Sequence, residues 1–163
     1  MKRRDFSMAA AAVATSMAGV GAHAQAAKPQ AGTDYLALSP AAPVEAPAGK
    51  VEVVEFFWYD CPHCNAFEPA LEAWIRKLPA NVSMRRVPVG FRDSFVPQQR
   101  LYYTLEALNL LDKLHGKVFA AIHGATPEMP KSAKGPEIAD WVAKQGVDKA
   151  KFTEQYNSFT VAT

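Results

Sequence analysis

The chain has only two cysteines, Cys61 and Cys64, and they stand two residues apart where the apolar run Val51 to Tyr59 gives way to helical periodicity. A strand that ends near Asp60 and feeds a helix starting near Cys61 carries the first thiol to the helix N-terminus. There the backbone N–H groups lack intrahelical partners and the macrodipole is positive, so a thiolate is stabilised. Pro62 suits the first helical position, because its missing N–H would have had no partner and its φ is already helical. Only the thiolate attacks a disulfide, and lowering its pKa also makes it a better leaving group. His63, between the cysteines, is a second contributor, through an imidazole hydrogen bond to the Cys61 sulfur or as a cation beside it. Each pKa unit is worth about 1.4 kcal/mol, the energy of about 30 mV of two-electron potential, so a shift of several units turns a Cys61–Cys64 disulfide into an oxidant.

Two other uses of the pair compete. As a structural staple it closes a loop of only about four residues, which the chain-entropy model values at roughly 2 kcal/mol, against about 3 for a fifteen-residue loop. A structural zinc site needs two further ligands, and His115 and His123 are eight residues apart, wider than the usual pair of ligands. A redox-active dithiol is therefore the leading reading.

Lys2, Arg3 and Arg4 precede an alanine-rich segment from Met8 to Val20, and Ala22-His23-Ala24 offers a small-x-small cleavage site. Residues 1–24 accordingly read as an export signal. Arg3-Arg4-Asp5-Phe6 is similar to a twin-arginine signal, although Ser7-Met8 follows where an apolar residue and a lysine are usual, which leaves the Sec route open. The apolar stretch is too short for a stable membrane anchor, and nothing later approaches a spanning length. Export predicts an oxidising compartment, where a disulfide persists. The formal net charge of +2 belongs to the leader, in which Lys2, Arg3 and Arg4 stand against Asp5. The remainder is neutral, and no basic patch argues for nucleic acid.

With 49% apolar residues there is enough material for a core. Residues 25–49, rich in Ala, Pro and Gly, read as a flexible arm with one edge strand over Thr33 to Leu38. Val51 to Phe57 is β-branched and aromatic, and belongs in the centre of a sheet. Phe67, Leu71, Trp74, Ile75 and Leu78 then mark one face of a helix closed by Pro79, with a kink expected at Pro69. Val82 to Val89 reads as a second strand, so residues 50–92 form a β-α-β unit with parallel strands. Residues 93–163 keep a helical period. Leu101, Leu105 and Leu108 mark one helix; Leu114, Val118 and Ile122 a second; Ile138, Trp141 and Val142 a third; Phe152, Tyr156 and Phe159 a fourth, with Asp148 as its N-cap. Gly124 to Gly135 reads as a loop.

Glu55-Phe56-Phe57-Trp58-Tyr59-Asp60-Cys61-Pro62-His63-Cys64, behind an export signal and ahead of a helical block, resembles the DsbA-like thiol:disulfide interchange proteins of the bacterial periplasm. Asn157-Ser158-Phe159 is also similar to sequence late in that family's helical insert, and the resemblance runs from about Tyr35 to the end. It implies an α/β fold, a thioredoxin-like β-α-β core with an inserted helical domain. It further implies that Cys61 is the exposed attacking cysteine and Cys64 the buried resolving one, with Glu55 a buried acid under the site and Arg86 its basic partner. The implied protein is a periplasmic monomer that donates its disulfide to reduced, unfolded secreted proteins. A quinone-linked inner-membrane partner reoxidises it, and no metal or organic cofactor is needed. The family pattern continues with a cis-proline loop, two strands and a last helix. None of these follows here, where the final proline is Pro136. The expectation is of a C-terminally incomplete fold that exposes open backbone and is weakly folded by itself.

Single residues carry their own expectations. Glu55, amid apolar neighbours, is costly to bury without a partner or a proton, which points to pKa tuning. Arg86 also reads as a solvated strand residue, and His115 and His123 as ordinary surface or packing residues. Trp58 and Tyr59 are expected to pack around the site. The Asp60 carboxylate is expected to cap the helix and, as a like charge, to raise the Cys61 pKa. The alternatives to an oxidase are a reductase or isomerase of the same fold, and a periplasmic chaperone or binding module whose disulfide is structural. Isomerases carry an N-terminal dimerisation domain, for which there is no room before Val51.

Overall fold

The computed structural model describes residues 28–162, so the export signal expected over residues 1–24 lies outside the described residues. The chain divides into two compact units, one ending at Pro43 and one beginning at Val44. In the first, the edge strand expected over Thr33 to Leu38 does not form. Its backbone groups are used locally instead. The Thr33 and Asp34 N–H groups donate to the Gln30 carbonyl, Gly32 at φ +85° donates to the Tyr35 carbonyl, and the Asp34 carboxylate accepts the Gln30 N–H at 2.8 Å. A turn closed in this way leaves no free ladder for a neighbouring strand.

The second unit opens with β1 (Val51–Phe57), followed by α1 (Pro62–Ile75) and β2 (Val82–Pro88). β1 and β2 pair in parallel, in a register that runs from Val51 opposite Val82 to Phe57 opposite Pro88. The β-α-β unit is thus formed as the apolar periodicity predicts, and α1 runs on continuously through Pro69. Among the described residues β1 has β2 as its only strand partner. Consequently Phe56 stays 67% exposed and Val51 58%, rather than buried as in a central strand. The stripe on α1 is only partly covered as well. Leu71 is buried, whereas Phe67 and Trp74 are exposed and border an apolar hollow with Val53, Val54 and Met84.

A short 3₁₀ turn (Asp93–Phe95) leads into α2 (Val96–Ala107), α3 (Leu111–His123), α4 (Gly135–Lys144), α5 (Lys149–Tyr156) and α6 (Phe159–Ala162). Asp148 caps α5, its carboxylate accepting the Lys151 N–H at 2.8 Å, and Gly146 at φ +82° ends the helix before it. Phe159 falls on α6 rather than α5, because the helix stops at Tyr156 and restarts beyond Ser158. The main core lies in this helical block, around Leu101, Leu105, Leu114, Val118, Ile138 and Val142. Phe57 and Tyr59 enter that core from the end of β1 and are almost wholly buried. Their burial, at roughly 2–3 kcal/mol for a large apolar side chain, fastens the strand–helix junction to the helical block.

Candidate active site

Cys61 is the N-cap of α1 with extended backbone (φ −76°, ψ 117°), and Pro62 takes the first helical position. The Cys61 N–H donates to the Trp58 carbonyl at 3.0 Å, which closes a β-turn with Tyr59 and Asp60 at its centre. Both thiols are free and partly buried. Partial burial raises the Cys61 thiol. The N–H groups of Cys64 and His63 and the Cys64 thiol, all bonding to its sulfur, outweigh that and the Asp60 charge, and hold it below its ordinary value. Cys64 moves the other way. Burial, the thiol bond it makes to Cys61, and the charges of Cys61 and Glu55 push it up to about 11, against a lowering from the Trp58 backbone. The two sulfurs of one short helical turn are therefore held far apart in acidity.

His63 is exposed and acts here through its backbone N–H. Among the described residues its imidazole makes no hydrogen bond to the Cys61 sulfur. Asp60 does not cap α1, which has no side-chain cap. Its N–H donates to the Gln98 side-chain amide oxygen (Oε1) at 3.1 Å and its carboxylate lies 3.0 Å from Lys131 Nζ, so the side chain is engaged away from the helix end. Its charge nonetheless raises the Cys61 thiol. Trp58 stacks face to face on Phe95, with ring centroids 3.9 Å apart.

Glu55 and Arg86 are brought together as direct cross-strand partners, with Nε of Arg86 3.0 Å from the Glu55 carboxylate. Arg86 is not a solvated strand residue. Its Nη2 also reaches Glu68 at 2.8 Å and Glu72 at 2.7 Å, so one guanidinium serves three carboxylates. Burial raises Glu55, and the Arg86 charge only partly offsets it, leaving the carboxyl above its ordinary range. Burial also raises Glu68, but contact with His115 and the charge of Arg86 prevail and hold it below. Burial alone would lower Arg86, yet its carboxylate partners keep it raised.

Four further contributors had no assigned role in the sequence reading. Glu68 and Glu72 are two, and two more are the histidines expected to be ordinary. His115 is buried, with Nδ1 2.8 Å from the Tyr59 hydroxyl and Nε2 3.3 Å from Glu68. His123 places Nε2 2.8 Å from the Tyr59 carbonyl oxygen. One signal for the acids was present: like charges at i and i+4, as in Glu68 and Glu72, are unfavourable on a helix unless a cation lies between them. Among the described residues no group of three or more His, Cys, Asp or Glu side chains is placed to hold a metal ion.

No protein-family model matches the chain. Individual proteins do. The thiol:disulfide interchange protein DsbA of Burkholderia cepacia is 48% identical over 141 residues, which cover 86% of this chain and 65% of that protein. Its counterpart in Bordetella parapertussis is 43% identical over 151 residues, covering 92% and 69%. Among solved structures, that of Pseudomonas aeruginosa DsbA aligns with a TM-score of 0.66 at 46% identity, over 74% of this chain and 60% of that one. The DsbA oxidoreductase of Xylella fastidiosa aligns with a TM-score of 0.66 at 35% identity, over 71% and 63%. The chain thus spans just under two thirds of the length of the Burkholderia relative.

Proposed function

Because the chain belongs to the DsbA family of thiol:disulfide interchange proteins, we propose that it is a thiol:disulfide oxidoreductase that donates a Cys61–Cys64 disulfide to reduced secreted proteins. The observation that carries this reading is the placement of Cys61 at the N-cap of α1, with Pro62 at the first helical position and Cys64 one turn on, an arrangement that lowers the Cys61 thiol and leaves Cys64 raised. A substrate thiolate attacks Cys61 Sγ, the Cys61–Cys64 bond breaks, and Cys64 leaves and takes up a proton. The substrate's second thiolate then attacks its own sulfur in the mixed disulfide and expels Cys61 as a stabilised thiolate. Two electrons pass from the substrate dithiol to the enzyme; of the two thiol protons one ends on Cys64 and the other goes to solvent, because Cys61 leaves as the thiolate. A stable Cys61 thiolate favours the reduced form, which makes the disulfide an oxidant rather than the resting state of a reductase.

The site of action is the periplasm, in keeping with the export signal read in residues 1–24 and with the oxidising conditions a disulfide donor requires. No described helix is long and apolar enough to cross a membrane. The electrons leave through a quinone-linked inner-membrane partner, and neither a metal nor an organic cofactor takes part.

The test mixes the oxidised full chain with a reduced, unfolded protein and follows the substrate's disulfides. Transfer is expected from the parent chain and none from Cys61→Ser, whereas Cys64→Ser, first loaded at Cys61 with a small-thiol mixed disulfide, is expected to exchange that thiol for a single-cysteine substrate and remain trapped as the Cys61 mixed disulfide. Undiminished transfer by Cys61→Ser, or none from the parent, overturns the proposal.

A further inference from the structure

The β-turn that presents Cys61 is gripped at each of its first three residues by side chains from the helical block or from the segments flanking its helices. Trp58 stacks on Phe95. Tyr59 is held twice from α3, its hydroxyl by His115 and its carbonyl oxygen by His123. Asp60 is held by Gln98 at its N–H and by Lys131 at its carboxylate. Among these, His115 alone also reaches the buried ion cluster. Its ring lies in an aromatic nest, with the Phe57, Tyr59 and Phe119 centroids 5.3, 5.3 and 5.4 Å away. Burial keeps the Tyr59 hydroxyl protonated, its pKa pushed well above the ordinary value. Tyr59 O–H then donates to Nδ1, which leaves Nε2 as the buried N–H facing the Glu68 carboxylate at 3.3 Å, a charge contact without hydrogen-bond geometry.

We propose that His115 is a positioning residue for the dithiol, joining the Arg86–Glu68 ion cluster to the Tyr59 hydroxyl and thereby fixing the turn that aims backbone N–H groups at the Cys61 sulfur. The physical reason is directional. An N–H stabilises a thiolate only when it points at the sulfur, and hydrogen bonds weaken steeply as they bend. The N–H groups of His63 and Cys64 take their direction from the start of α1, which takes its own from Tyr59 and Asp60. A fully buried Tyr59 ring on its own fixes where the side chain sits. The hydroxyl bond to His115 also fixes how far it is drawn toward Glu68. Glu68 in turn lies one helical turn beyond Cys64 on the same helix, so the link closes a loop from α1 through α3 and back to the residue before Asp60.

This assignment rests on the thiol-exchange reading above, and the experiment separates the two. Thiolate absorbance of the reduced full chain is titrated against pH for the parent, Tyr59→Phe, His115→Leu and His115→Asn, with urea melts in parallel. Tyr59→Phe keeps the ring and its packing and removes only the hydroxyl, so it remains informative even where His115→Leu does not fold. Tyr59→Phe is expected to raise the Cys61 midpoint by half a unit to one unit, which is about a three- to tenfold loss of thiolate at pH below both midpoints. His115→Asn, whose carboxamide oxygen can stand in for Nδ1, is expected to recover most of the shift that His115→Leu produces. An unchanged midpoint in Tyr59→Phe, with or without lost stability, makes the contact merely structural and overturns the assignment. An ordinary alkaline midpoint in the parent chain overturns the functional reading itself, and does so before any substitution is made.

Discussion

Arg86 and Glu55 face each other across β2 and β1, 3.0 Å apart, in the same guanidinium that also holds Glu68 and Glu72. Three carboxylates converge on one cation, so the cluster is stable only while that cation is present.

Replacing Arg86 by Met leaves Glu55 and Glu68 in a largely buried site without their cation. Breaking a buried pair in this way costs about 3–5 kcal/mol, and the half-exposed Glu72 (39%) adds little because solvent screens it. A urea midpoint well below that of the parent is the expected result. Arg86→Lys keeps a charge but loses the fork that reaches three partners, so it should fall between the two.

The Cys64 thiol donates to the Cys61 sulfur and helps to lower its pKa. In Cys64→Ala the Cys61 titration is therefore expected to move upward, and in Cys64→Ser, which keeps an O–H donor, to return part of the way. Rates of alkylation against pH read both midpoints. Equal midpoints in Ala and Ser variants would remove the side-chain contribution and leave the backbone amides alone.

Asp60 raises Cys61 through its charge, and Lys131 balances that charge from 3.0 Å. Asp60→Asn is expected to lower the Cys61 midpoint and Lys131→Met to raise it, each by a fraction of a pKa unit, about a twofold change in thiolate. The opposite signs matter more than the sizes, and thiolate absorbance in both variants decides them. A shift in the same direction in both would mean that the turn has moved rather than that its field has changed.

Acid should find Glu68. Its carboxyl is held below its ordinary value in the fold, although burial opposes this, because His115 and Arg86 contact it. A depressed folded-state pKa stabilises the protein at pH above the unfolded value near 4.5, and that stability is lost as pH falls through the folded value. Glu55 has the reverse sign. Raised by burial, it costs stability once pH rises above 4.5 and the unfolded carboxyl ionises. Urea melts across the acid range should show Glu68→Gln with a flatter acid limb than the parent. Glu55→Gln should lose the opposing contribution and steepen it.

Much of this was readable in the chain because the determinants are local. Cys61-Pro62-His63-Cys64 follows directly on β1, and a proline at the first helical position fixes where α1 starts. Leucine spacing marked the helices of the second half for the same reason. The ion cluster was hidden by distance in sequence. Arg86 meets Glu68 across eighteen residues and Tyr59 meets His115 across fifty-six, and no period or motif encodes such pairs. Asp60 was misread as a cap because its side chain was judged by its neighbour in sequence, whereas Lys131 and Gln98 claim it in space. Phe67 and Trp74 show the limit of periodicity: a stripe says which residues share a face, not what covers them.

The two histidines on α3 stand eight residues apart, two turns and a little more, and both must point at one tyrosine. Each residue along a helix rotates the next by about 100°. Losing or gaining one amino acid between them would swing one imidazole off its target while leaving composition and hydrophobicity nearly unaltered. Side chains between the two histidines can change without moving either anchor, whereas the number of residues between them cannot.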